Sequence, residues 1–265
     1  MIPNVLSIAG SDPSGGAGIQ ADLKAISANG AFAMAALTAL TAQNTQGVSG
    51  IHLVPPEFVQ SQIKAIFDDI RVDAVKIGMI ANAEIAQIVA HALSEFDVRV
   101  ILDPVMIAKG GASLLQPDAV TVMRETLLPR AMVLTPNLPE AAHLLGVNVA
   151  QTRAEMEIQG HALCALGPQA VLMKGGHLDG QGSPDCLVTE SALTWFEATR
   201  IQTHNTHGTG CTLSSALAAQ IAKGGNIEAA VKAAKSYVAT AIAHADTLSV
   251  GSGHGPTHHF ANIYQ

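Results

Sequence analysis

Five short, mostly apolar runs stop abruptly at glycine, proline or a polar residue, and their alternation with helical stretches constrains the fold more than any other feature. Residues 5–9 stop at Gly10, 73–77 at Gly78, 98–102 at Asp103-Pro104, 131–134 at Thr135-Pro136 and 170–173 at Lys174-Gly175-Gly176. Helical patterns at 19–28 and 83–93 lie between them. Strands alternating with helices predict the α/β class: a mostly parallel, doubly wound sheet with helices on both faces. One Trp and two Tyr leave Ala, Val, Ile and Leu to build the core, which suits helices packed closely on a parallel sheet. Residues 187–188 and 193–196 read as two short strands about the turn 190–191, and 227–245 as a helix with one apolar face. No linker is long enough to divide the chain, so residues 1–265 are expected to form a single domain. In such sheets ligands collect beyond the carboxyl ends of the strands. Asp12, Asp103, Asn137 and Lys174 sit at or just past such ends, which predicts one site built from distant segments.

Several classes of function fall away. The formal net charge of −7 gives no counterion release on a polyanion, so a nucleic-acid partner is not expected. The uncharged stretch 25–56 is interrupted by Asn29-Gly30, Gln43-Asn44 and Gln46-Gly47, and does not read as a membrane span. Residues 1–4 carry no basic region, so no signal peptide is expected. Cys164, Cys186 and Cys211 are odd in number and far apart, which suits a reducing, cytoplasmic setting and no zinc site.

Asn205-Thr206-His207-Gly208-Thr209-Gly210-Cys211 leads into an Ala- and Leu-rich helix running to about Ala222. A glycine-rich entry bares N–H groups beside the positive end of the helix dipole, an arrangement that binds phosphate; a plain glycine-rich cap is the alternative. Cys211 in the first helical turn is expected to have a lowered pKa, unless it is a small buried apolar residue. Glu140, near the start of a helix after Asn137-Leu138-Pro139, either compensates the dipole or holds Mg²⁺. Asp103 is a second Mg²⁺ candidate. Lys174 either neutralises phosphate oxygens or caps a sheet end in solvent. Gly16, Gly18 and Ala21 satisfy a dinucleotide-binding pattern, but the acid it requires about 20 residues on is missing. No Gly-Lys dipeptide exists, which excludes a P-loop. His254, His258 and His259 fit no metal spacing and read as an ordered polar tail.

Taken together, these segments resemble the hydroxymethylpyrimidine/phosphomethylpyrimidine kinases of thiamine biosynthesis, within the ribokinase-like superfamily. The resemblance runs essentially end to end: 8–22, Ala42-Gln43-Asn44-Thr45, Lys76-Ile77-Gly78-Met79, 102–106, 135–140, 172–177, 205–211 and 253–260. It implies phosphoryl transfer from ATP to 4-amino-5-hydroxymethyl-2-methylpyrimidine and then to its monophosphate. It implies that Gln43 and Asp22 contact the pyrimidine, with Gly10, Met79 and Val105 lining its pocket. It implies that Asp103, Asn137 and Glu140 manage Mg²⁺, that Lys174 reaches ATP phosphates, and that Gly208, Thr209, Gly210 and Cys211 form the anion hole. The wider superfamily usually carries Asp where this chain has Cys211, which disfavours sugar acceptors. The resemblance also suggests a homodimer, and residues 108–112 read as a lid. The alternatives are a pyridoxal or pyridoxine kinase of the same fold, which a substrate panel separates, and a non-catalytic pyrimidine-binding regulator. The intact Lys174, Glu140 and Cys211 speak against the regulator.

Overall fold

The computed structural model describes residues 1–106 and 116–264, and the stretch read as a lid, 108–112, lies outside them. The described residues form a nine-stranded sheet. In chain order its strands are β1 (Asn4–Ser11), β2 (Phe32–Asn44), β3 (Gly47–Leu53), β4 (Ala74–Ile77), β5 (Arg99–Leu102), β6 (Ala131–Leu134), β7 (Ala170–Lys174), β8 (Asp185–Thr189) and β9 (Leu193–Phe196). Their spatial order is β3-β2-β1-β4-β5-β6-β7-β8-β9. The pairs from β2 to β7 are parallel; β3 joins one edge antiparallel, and β8 and β9 the other.

Period-two alternation divides the core between the two faces. Leu6, Ile8, Val100, Leu102, Val171 and Met173 face one side, with Val59 and Ile63 of α2 (Pro56–Phe67), Ile85 and Val89 of α3 (Ala83–Ser94), Ala119 of α4 (Pro117–Val122), Leu138 of α5 (Leu138–Leu145) and Met156 of α6 (Arg153–Cys164). Val5, Ile101, Val133 and Leu172 face the other, with Ile26 of α1 (Gly18–Ala28), Leu217 of α7 (Thr209–Ala222) and Val231 of α8 (Ile227–Ala243).

The α/β architecture expected from the sequence, a mostly parallel sheet with helices on both faces, is present. The uncharged stretch 25–56, given no strand by its turn signals, holds all of β2 and β3. Its one-sided burial, with Met34, Ala36, Thr38 and Ala39 inside, is that of a strand at the margin of a sheet. The chain runs from β1 to β2 on one side and then crosses, through α2, to β4 on the other. This reversal puts a crevice at the carboxyl ends of β1 and β4.

Candidate active site

Two glycine turns meet in that crevice. Gly208 caps α7 with φ of 74°, and a Cβ placed on it would lie 1.8 Å from the Gly16 carbonyl oxygen. A Cβ on Gly18, whose φ is 55°, would lie 2.3 Å from the Gly10 carbonyl oxygen. The loop after β1 and the entry to α7 are therefore one close-packed unit, made possible by missing side chains. The first-turn N–H groups of α7 have no helical carbonyl to bond, and they face the same crevice as the start of α1.

Lys174 stands across from that turn. Its Nζ is 2.9 Å from Asp103 Oδ1 and 3.8 Å from Glu140 Oε2, and a Cβ on Gly210 would lie 3.4 Å from it. Gly210, Lys174, Asp103 and Glu140 thus share one spot, drawn from α7, β7, the end of β5 and α5. Asp103 also accepts from Ser214 Oγ at 3.2 Å and from Thr135 Oγ1 at 3.2 Å. Burial alone would raise the Asp103 carboxyl; the ammoniums of Lys174 and Lys76 outweigh it and hold Asp103 below its ordinary range. Burial would lower the Lys174 ammonium, and its two carboxylates reverse that, so it stays charged.

Glu140 is less well compensated. It closes a capping box with Asn137: its Oε2 accepts from the Asn137 N–H and its own N–H donates to Asn137 Oδ1, both at 2.8 Å. Burial pushes its carboxyl up to about 7, against the pull of Lys174. Its folded pKa exceeds the unfolded one, so the folded state holds a proton here that the unfolded chain releases between pH about 4.5 and 7. Stability contributed by this group is therefore present below that window and declines as pH rises through it. Glu140→Gln removes the dependence. The variant's stability relative to the parent is expected to rise by up to about 3 kcal/mol between pH 4 and 8, near 1.4 kcal/mol per pKa unit. Denaturant unfolding of both proteins across that range checks this, and a constant difference refutes it.

Cys211 and Asp22 depart from expectation. Burial first, with Asp22 and Asp103 nearby, pushes the Cys211 thiol up to about 11, despite Lys76 and a hydrogen bond from the Gly18 N–H. The helix terminus does not yield a thiolate, because the half-buried sulfur is partly withdrawn from water and lies beside the Asp22 and Asp103 carboxylates. Asp22 is brought to no open surface. Its carboxylate is wholly buried, 2.8 Å from an equally buried Lys76 Nζ, and accepts from Ser7 Oγ at 2.6 Å and Ser215 Oγ at 2.7 Å. These bonds tie β1, β4, α1 and α7 together beneath the crevice.

On the other side of the glycine unit, Gly10 abuts Met79: a Cβ on Gly10 would lie 2.2 Å from Met79 Cε. Thr38 Oγ1 donates to the Met79 carbonyl at 2.6 Å. Val105 follows Asp103 at the end of β5 and is half-buried. Gln43, on β2, is half-buried, with Nε2 3.3 Å from His207 Nε2. His207 in turn lies 2.7 Å from Asp12 Oδ2. Asp12 also accepts from the Ser14 and Ala17 N–H groups and so shapes the loop after β1. Sequence reasoning gave no role to His207 or Lys76 and placed Asp12 only at a strand end; a charged or ionisable residue within or beside a glycine turn was the available signal. Of the tail histidines, His258 and His259 are buried and His254 is exposed. His259 Nε2 is 3.0 Å from Thr212 Oγ1 in α7.

Asp103 and Glu140 gather around an ammonium, and among the described residues no group of three or more His, Cys, Asp or Glu side chains could hold a metal directly. The two carboxyls, with the Lys174 ammonium beside them, offer oxygen donors at this spot. That fits a Mg²⁺ held by phosphates and water, with the carboxylates one water away.

The chain is similar to known proteins along nearly its whole length. The phosphomethylpyrimidine kinase family matches residues 12–258. A hydroxymethylpyrimidine/phosphomethylpyrimidine kinase of Escherichia coli is 53% identical over 258 residues, covering 97% of each chain. The thiamine biosynthesis bifunctional protein ThiED of Geobacter sulfurreducens is 49% identical over 97% of this chain, which spans 52% of that protein. Among solved structures, an ADP complex of Bacillus subtilis pyridoxal kinase superposes with a TM-score of 0.92 at 36% identity, covering 100% of both chains.

Proposed function

The chain belongs to the phosphomethylpyrimidine kinase family, and on that footing we propose how its residues divide the work of phosphoryl transfer. The enzyme is a phosphotransferase that phosphorylates 4-amino-5-hydroxymethyl-2-methylpyrimidine and its monophosphate, supplying the diphosphate for thiamine biosynthesis. The nucleotide is ATP. The acceptor hydroxymethyl oxygen bonds to the γ-phosphorus while the bond to ADP breaks, its proton leaving to a phosphoryl oxygen or water, and charge spreads over the equatorial oxygens. First-turn N–H groups of Gly208, Thr209, Gly210 and Cys211 and the Lys174 ammonium meet that charge. Their placement opposite one another, with Asp103 and Glu140 fixing the lysine, is the observation that carries this reading. Mg²⁺, held through water by Asp103, Asn137 and Glu140, would neutralise phosphate charge. Cys211 is a thiol at neutral pH and lines the hole; a loose transition state asks little of a base.

Gly10, Met79 and Val105 form the apolar side of the acceptor pocket and Gln43 its polar side. Asp22 supports the floor through Lys76 rather than touching the ring. The pyridoxal-kinase reading has its own support in the close superposition on such an enzyme. Turnover with Mg-ATP, followed by product mass, separates the two: the pyrimidine is expected to gain one and then two phosphoryl groups. Turnover of pyridoxal alone would overturn the assignment. Gln43→Ala is expected to raise KM for the pyrimidine about tenfold or more, with KM for ATP little changed; equal effects on both would move Gln43 off the ring.

The enzyme is further proposed to be a cytoplasmic homodimer acting as a single domain. Its three cysteines are free, and no helix among the described residues is long and apolar enough to cross a membrane. Exposed Ile51 and Leu53, on one face of the edge strand β3, supply apolar surface for a second subunit.

A further inference from the structure

Donor and acceptor chemistry along Asp12, His207 and Gln43 bears on how the acceptor ring is chosen, and rests on the reading that Gln43 meets that ring. His207 is buried, and its Nε2 faces both Asp12 Oδ2, at 2.7 Å, and Gln43 Nε2, at 3.3 Å. A carboxylate only accepts. Burial would raise the Asp12 carboxyl, but the bonds from His207 and Ser14 prevail and keep it ionised. His207 Nε2 therefore carries a proton and donates to Asp12. A nitrogen that donates offers no lone pair to an amide NH₂. At the other end of Gln43, Oε1 lies 3.1 Å from Thr41 Oγ1, whose single proton goes to the nearer Ser11 carbonyl at 2.8 Å. One half-turn of the amide, which leaves its shape unchanged, resolves both conflicts. The oxygen then takes the longer, weaker arm of the His207 N–H, whose proton goes mainly to Asp12, in place of an NH₂ that this N–H repels, and the NH₂ donates to Thr41 Oγ1.

We propose that His207, anchored by Asp12, is a positioning residue that fixes the polarity of the Gln43 amide and so selects the acceptor ring. With the amide held this way, its remaining lone pair and remaining N–H stand side by side. They match a ring carrying an exocyclic amino group next to a ring nitrogen, the pairing that glutamine makes with aminated heterocycles. A pyridine bearing a hydroxyl and an aldehyde lacks that edge. The selection is thus set one residue behind the contact, by a histidine in the same turn that binds the phosphoryl group.

Nitrogen-15 spectra of the imidazole nitrogens in the full-length protein test the orientation without any substitution. Nε2 of His207 is expected to be protonated, and an unprotonated Nε2 overturns the proposal. His207→Phe keeps a ring of similar size but removes the donor. It is expected to raise KM for the pyrimidine about tenfold, to leave KM for ATP within about twofold, and to add no further loss in a Gln43→Ala background. Raised KM for both substrates, or additive losses in the double variant, overturns the role of His207 alone. An unaltered pyrimidine KM in Gln43→Ala instead overturns the ring contact on which the inference rests.

Discussion

Lys174→Ala is expected to lower kcat by about 10²- to 10³-fold, the usual cost of removing one fixed charge from a site where transition-state charge develops. The ammonium is held at 2.9 Å by Asp103 and at 3.8 Å from Glu140, so its position is set before substrate arrives. Its removal also leaves two carboxylates facing the incoming phosphates with no intervening cation. Lys174→Arg keeps the charge but replaces a compact head with a planar fork, against a turn where even a Cβ on Gly210 would stand 3.4 Å from the nitrogen. Only slight rescue is expected from it. Steady-state kinetics with both variants, with unfolding curves to establish that each is folded, checks this. A kcat within about threefold of the parent for Lys174→Ala would remove the lysine from the chemistry.

Asp22→Ala is expected to be the most destabilising single change beneath the site, by about 3–5 kcal/mol. It strands the ammonium of Lys76, a wholly buried side chain that donates to both oxygens of Asp22, at 2.9 and 2.8 Å. Burial alone would lower the Lys76 ammonium; Asp22 outweighs it and keeps the group charged. The pair Asp22→Leu with Lys76→Met, which removes both charges and keeps the volume, is expected to lose much less. Urea unfolding of the single and double variants decides the matter. A single variant as stable as the double would mean that the stranded lysine finds another partner or sheds its proton at little cost.

What could be read in the sequence was what is local. Strand ends at Gly10, Gly78, Asp103, Thr135 and Lys174 announce themselves by an apolar run meeting a breaker, and the structure has its strands within a residue or two of them. The glycine entry to α7 was legible for the same reason. Asp22 was not, because its partner Lys76 is 54 positions away and nothing near it signals a buried cation. His207 was silent because Asp12 lies 195 positions off. The thiol of Cys211 was misjudged because position in a helix predicts its dipole but not its burial, nor the carboxylates that other segments bring beside it. The hairpin of β2 and β3 was missed because a half-buried strand rich in alanine and threonine carries a weak alternation.

The interlock of Gly208 with Gly16 has a consequence for how such an enzyme can change over generations. A methyl group on Gly208 would collide with the Gly16 carbonyl oxygen, and one on Gly16 with the ring of His207 and with Pro256, so each loop resists change through the other. Both positions are therefore closed to side chains, and a random library that alters either samples almost nothing that retains the transfer turn. Diversification toward new acceptors is thereby channelled to the opposite wall, Gln43, Met79 and Val105, where side chains rather than backbones meet. The phosphate-handling half stays frozen while the acceptor half drifts, and new acceptors are then reached on an unchanged fold.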